Sequence, residues 1–394
     1  MSVVTQAKTP PRAQMQPELL RIRVFEAAEA VAAEWDALEK IAAGSAYQSR
    51  RFLESWITNV APATGLTARL ALIEDEDGRP VALLPFGLSR RGPLRAVVYL
   101  GGRDSNLNMP LIDPALTLDR AAACALLRRL AQQMLPRPDL FILTNQPRTW
   151  RGHANPFAFE DAPQSPSAVY GSSFGADITA FLTAHESRDA RKKHRLKAAR
   201  LAQIGPLTFE RAPPDRAQEI VATFLAQKES HLARRGILAD LDNEPRRMFF
   251  NAVAAPASSE PVLEFYVLKV GNKIVAIFGG LPHDTHWHGL INSFDDEPSI
   301  ARCSPGDLLL RHVLADLGQR GFRSFDLGIG EARYKAAVCD DRIELVDAIV
   351  PITPPGQMYA AAEALRLSAK RWVKQRPAAM KAVQTLRNVL SPRP

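Results

Sequence analysis

Asp326, Tyr334 and Lys335 put an acid, a phenol and an ammonium into one short stretch, residues 322–340, FRSFDLGIGEARYKAAVCD. A phenol keeps its proton at neutral pH and can hand it to a departing group, and an ammonium can pair with an anion. A carboxylate can orient or deprotonate an acceptor. These residues need a rigid element to hold them. Phe322 to Leu327 supply one, because apolar and polar residues alternate there as in a half-buried strand. Gly328 and Gly330 then bracket a tight exit, where a missing Cβ lets the chain turn or approach a ligand closely. The plainer reading of the same pattern is a turn with Tyr334 packed and Lys335 in solvent.

Just upstream, Arg302-Cys303-Ser304-Pro305-Gly306-Asp307 precedes an amphipathic run with Leu309, Leu310, Val313, Leu314 and Leu317. Ser304 suits an N-cap, Pro305 the first turn, and Asp307 the third position of a capping box. Such a helix start offers free N–H groups to an anion. His286 and His288 would share one face of a strand, with His283 nearby. No third ligand is evident beside them, so no metal is expected. There is no G-x-S-x-G elbow, no Walker loop and no G-x-G-x-x-G after a strand.

The pattern F-D-L-G-x-G-x-x-x-Y-K resembles the C-terminal signature of the CelD-like branch of the GNAT acyltransferases, and more distantly the Fem-type transferases. The resemblance runs from about Trp35 to about Pro351. It implies an α/β fold of two tandem GNAT-like domains with mixed central sheets flanked by helices, plus a C-terminal basic helix. It also implies acyl-CoA as co-substrate, with Tyr334 protonating the leaving thiolate and Lys335 and Asp326 beside it as catalytic residues. Arg302, Ser304, Gly306 and Asn292 are the implied coenzyme-binding residues. Only Arg302 and Gly306 approximate the family's R/Q-x-x-G-x-G/A loop, however. The loop Ser105-Asn106-Leu107-Asn108 also departs from the family's S-D-Y-type pattern, which counts against an acceptor role for it.

A chain of 394 residues is long enough for two domains. The tail 1–17 reads as disordered, 18–160 as an N-terminal GNAT-like domain and 161–356 as the catalytic one. The remaining residues, 357–394, read as a basic amphipathic helical tail. Two hairpins, ARLALIE-DEDG-RPVALLPFGL and VLEFYVLKV-GN-KIVAIFGGL, align from Gly78 and Gly271, which suggests two copies of one fold. The helix ESRDARKKHRLKAARLAQIG is strongly basic, a solvated face or a wall attracting coenzyme phosphates.

The net charge of +8 is concentrated at the end of the chain, where residues 357–394 hold eight basic residues against Glu363 alone. Little net charge is left for the core, so nucleic acid is not expected as its partner. Met358, Ala362, Leu365, Ala369 and Trp372 form an apolar stripe beside Arg366, Lys370 and Lys374, a face that fits an anionic membrane or the protein itself. Three scattered cysteines and no signal-type or spanning apolar run predict the cytoplasm, with peripheral inner-membrane contact through 357–394. The expected activity is acyl transfer from acyl-CoA, or from an acyl-carrier protein, to an amine or hydroxyl acceptor in exopolysaccharide or envelope synthesis. The alternatives are Fem-like transfer from aminoacyl-tRNA and a non-catalytic assembly scaffold.

Overall fold

The computed structural model describes residues 18–374 apart from 176, 237–242 and 256–260; the tail expected at 1–17 and residues 375–394 lie outside them. Alternating and β-branched-rich segments form two seven-stranded mixed sheets, and the amphipathic segments form the helices that flank them. The first sheet runs in the order Arg21–Phe25, Thr67–Glu74, Pro80–Arg91, Leu94–Tyr99, Leu140–Pro147, Leu345–Pro351, with Leu111–Ile112 beside Pro80–Arg91. The second runs Leu207–Arg211, Glu264–Val270, Lys273–His283, His286–Phe294, Ser324–Ile329, Val169–Ser173, Asp341–Ile343.

Strand for strand the two sheets repeat one plan. Three antiparallel steps lead to a parallel pair, Leu94–Tyr99 with Leu140–Pro147 in the first and His286–Phe294 with Ser324–Ile329 in the second. The two aligned hairpins occupy equivalent places. The turn of the first closes on Asp75, whose Oδ1 accepts from the Asp77 and Arg79 N–H groups, and Gly78 there has φ +78°.

The sixth strands are exchanged. Val169–Ser173, which follows the first unit in the chain, pairs with Ser324–Ile329 of the second sheet, and Leu345–Pro351 returns to Leu140–Pro147 of the first. The expected division at 160/161 assigns this last strand to the second half, whereas its hydrogen bonds are with the first sheet. Short strands carry no record of which edge they join; the positions of their ends decide that.

One face of each sheet packs on its own helix, Arg120–Gln133 in the first and Pro305–Gln319 in the second. The opposite faces share a core in which Phe52 meets Phe249 edge-on at 5.3 Å, a contact worth about 0.5–1.5 kcal/mol beyond its burial. Asp104 of the first unit is buried at this junction, accepting from the Trp56 indole at 3.0 Å and pairing with Arg246 of the second at 3.2 Å. The loop 105–108 is thereby held against the second sheet. The final helix, Pro354–Lys374, leaves Met358 and Leu365 exposed, and no described helix is long and apolar enough to cross a membrane.

Candidate active site

The site begins where two parallel strands part. His286–Phe294 and Ser324–Ile329 pair only at His286↔Ser324, Trp287↔Phe325 and His288↔Asp326. Beyond that, a register shift on the neighbouring strand at Gly279/Gly280 and a left-handed Gly328 (φ +72°) turn the two backbones away from each other. Glycine is required at this fork. A Cβ on Gly289 would lie 2.8 Å from the Asp326 carbonyl oxygen, and one on Gly328 would lie 2.6 Å from the Asn106 amide nitrogen.

Beneath the fork sits a buried cluster. The Asp326 carboxylate accepts from the Gly328 N–H at 2.8 Å through Oδ1. Its Oδ2 lies 3.0 Å from His286 Nε2 and 2.6 Å from His288 Nδ1, while His286 Nδ1 meets the Ser324 hydroxyl at 2.7 Å. Asp326 is thus the third group that the histidine spacing alone does not reveal, and the three ligand-type atoms lie within 4.8 Å of one another. With a proton on His286 Nε2 and one on His288 Nδ1, both contacts to Asp326 are hydrogen bonds that the carboxylate accepts.

Burial, with His286 beside it, brings the His288 imidazole down to about 4. Burial alone would raise the Asp326 carboxyl, but the two imidazoles prevail and hold it below the usual carboxylate range. An unfolded chain binds the His288 proton near 6.5 and the folded chain only near 4, so unfolding takes up a proton in between. Stability therefore falls as pH falls through this window, by on the order of 3 kcal/mol. Urea denaturation in steps from pH 7 to pH 4 measures it. His288→Phe, which keeps an aromatic ring near Tyr47 and Trp150, is expected to flatten the acid limb, and an unchanged slope would remove His288 from its cause.

Above the fork open two adjoining cavities of about 530 and 200 Å³, which share Lys228, Phe278, Asn292, Ile329, Tyr334 and Lys335 as walls. Ser304, Pro305, Gly306 and Asp307, at the start of the Pro305–Gln319 helix, border the outer one. Asn106, from the first unit, closes the inner one and donates to the Tyr47 hydroxyl at 2.7 Å. The Tyr334 hydroxyl accepts from the Asn292 amide at 2.7 Å, and burial pushes this phenol up to about 12. Lys335 donates to the Gly328 and Ile329 carbonyls, each at 2.9 Å, and burial pulls its ammonium down to about 8.

The structure therefore brings Tyr334, Lys335, Asn292, Ser304 and Gly306 to one cavity. Asp326 is elsewhere: 1% exposed, with both oxygens engaged, it borders neither cavity and acts on the site through Gly328. Arg302 is exposed and borders neither. The capping box is not made either. Ser304 has φ 50° and ψ 58°, and its hydroxyl accepts from Lys197 at 2.8 Å instead of capping the helix. Lys197 also lies 3.9 Å from Asp307. Of the same basic helix, Arg188, Arg191 and Arg195 border a separate open groove.

Sequence reasoning missed Lys228 and His231, from one face of the Ala217–Arg234 helix, and Arg235 at its C-cap, all of which line the outer cavity. Their three- and four-residue spacing was the available signal, but a solvated helix face has the same one. It also discounted the 105–108 loop, which supplies Asn106.

Residues 188–336 match the family model described as an acetyltransferase (GNAT) domain. Among solved structures, the chain is similar to FemX at 12% identity and TM-score 0.56, over 83% of this chain and 97% of that one. It is also similar to a conserved protein of unknown function from Bacteroides thetaiotaomicron at 15% identity and TM-score 0.50, over 84% and 100%. No curated protein matches it. At such identities the likeness is one of fold, and the two mixed sheets flanked by helices are those of a GNAT-like fold.

Proposed function

We infer that this chain, whose residues 188–336 match the model of a GNAT acetyltransferase domain, transfers an acyl group from an acyl-thioester, acyl-CoA in the first instance, to an amine or hydroxyl acceptor. The observation that carries the reading is the fork itself. Two parallel strands separate after three pairs, beside a helix start and directly under Tyr334 and Asn292. Separated strands leave backbone N–H and C=O groups for the amides of a pantetheine-type arm. A strand N–H aimed at the thioester carbonyl would stabilise the charge that develops on oxygen. The first turn of the Pro305–Gln319 helix suits the coenzyme phosphates, and Lys197 beside Asp307 offsets the one carboxylate there.

In the transfer step the acceptor nitrogen or oxygen attacks the thioester carbon and the C–S bond breaks; the acceptor's proton passes to solvent water, from which the Tyr334 phenol regains the one it gives up. The sulfur leaves as a thiolate that must be protonated. Tyr334, still protonated at neutral pH, is the donor for that proton. Asn292 fixes its hydroxyl, and Asp326 is a positioning residue that ties down Gly328 at the fork. The resemblance to the CelD-like branch supports an acceptor belonging to exopolysaccharide or the envelope.

Gly306→Glu tests the donor end. A Cβ at Gly306 has no atom within 4 Å, so the fold should survive, while a carboxylate would face the phosphates. Acyl-CoA affinity is expected to fall about tenfold or more, the equivalent of roughly 1.4 kcal/mol, by calorimetric titration. An unchanged affinity in the folded variant would take the helix start out of the site.

A further inference from the structure

The inner cavity carries a charge pattern that acyl transfer alone does not require. Two ammonium groups, Lys228 and Lys335, border about 200 Å³ together with the Asn106 and Asn292 amides and the Tyr334 hydroxyl, and no aspartate or glutamate lines it. The described partners of both ammonium groups are neutral: backbone carbonyls and, for Lys335, the Tyr170 ring at 5.9 Å. Lys335 donates to Gly328 and Ile329, and Lys228 donates to Asn292 at 3.3 Å. Each ammonium has three donors, so one remains on Lys335 and two on Lys228 beyond these bonds.

The nearest buried anion, Asp326, is already occupied by two imidazoles and a backbone N–H. Burial lowers the affinity of both lysines for their protons; at Lys335 the Asp326 charge opposes this and Lys228 adds to it. Two like charges in a small cavity that no carboxylate lines leave an anion as the missing partner there. Phe224, Phe278 and Leu327 add an apolar side to these walls, which suits a short carbon chain. A carboxylate on such a chain meets the site: one oxygen for each ammonium, and amides at the side.

We propose that the inner cavity binds a carboxylate between Lys228 and Lys335, borne either by the far end of the acyl group or by the acceptor. The proposal rests on the acyl-transfer reading for the identity of these two sources. The anion site itself does not depend on that reading.

The test is calorimetric titration of the full chain with three matched pairs. Propionate against propionamide probes the anion site alone. Succinyl-CoA against butyryl-CoA probes the acyl source, and L-amino acids against their primary amides probe the acceptor source. Propionate is expected to bind at least about tenfold more tightly than propionamide. The preference should fall to near unity in Lys228→Gln and in Lys335→Gln. Lys335 also braces the fork, so the half-buried Lys228 carries the test should Lys335→Gln not fold. A matching preference in the CoA pair, or in the amino-acid pair, names the source, and absence from both assigns the carboxylate to an acceptor of another class. Equal binding of propionate and propionamide, or a preference that survives in a folded Lys228→Gln, overturns the proposal. Failure of butyryl-CoA to bind would instead overturn the acyl-thioester reading and leave the propionate result standing.

Discussion

Tyr334→Phe is expected to lower kcat by about 10²–10⁴ while leaving acyl-CoA affinity nearly unchanged. The change removes one oxygen, whose described contact is the hydrogen bond accepted from the Asn292 amide at 2.7 Å. That amide borders a cavity, so water can replace the lost partner and the fold loses about 1 kcal/mol at most. The ring keeps its edge contact with Phe278. What disappears is the proton for the thiolate, and with it the rate of C–S cleavage. Thiol release from acyl-CoA under single-turnover conditions, followed alongside binding of the donor, separates the two effects. Full activity would mean that water or another acid supplies the proton. A scaffold without catalysis would show no thiol release in the parent chain either.

Much of this site was legible in the sequence because it depends on local pattern. The alternation from Phe322 to Leu327 reads as a strand, and the observed strand is Ser324–Ile329, ending at the left-handed Gly328 and Gly330. The leucines of 305–319 read as an amphipathic helix for the same reason, and so does the repeated hairpin at Gly78 and Gly271. Ser304 shows where local reading stops. Ser-Pro-Gly-Asp has the residue types of a capping box, yet the serine backbone turns left-handed and its hydroxyl goes to Lys197, a residue 107 positions away. Asn106 and Lys228 reach the inner cavity from a loop of the first unit and a helix of the second. Nothing in the spacing of either segment announces that meeting. It follows from the packing of the two units across Phe52, Phe249 and the buried Asp104–Arg246 pair.

Asp326→Ala is expected to cost about 3–5 kcal/mol of folding stability, more than any other single change at the fork. The carboxylate is buried, and it receives hydrogen bonds from the Gly328 N–H and from both imidazoles. Truncation strands all three donors in a space that water enters poorly, and each stranded buried group costs about 1–3 kcal/mol. The damage extends to the site along a short path. Gly328 loses the bond on its N–H side, while its carbonyl is one of the two that hold Lys335. The fork that spaces the two strands is then tied from one side only. Urea denaturation at neutral pH measures the first effect, and donor affinity in the surviving folded fraction measures the second. Asp326→Asn sharpens the comparison, because its amide can keep one acceptor oxygen but must point an NH₂ group at a neighbour that already donates. A loss below about 1 kcal/mol in the alanine variant would show that the imidazoles and Gly328 find other partners, and that the cluster does not brace the fork.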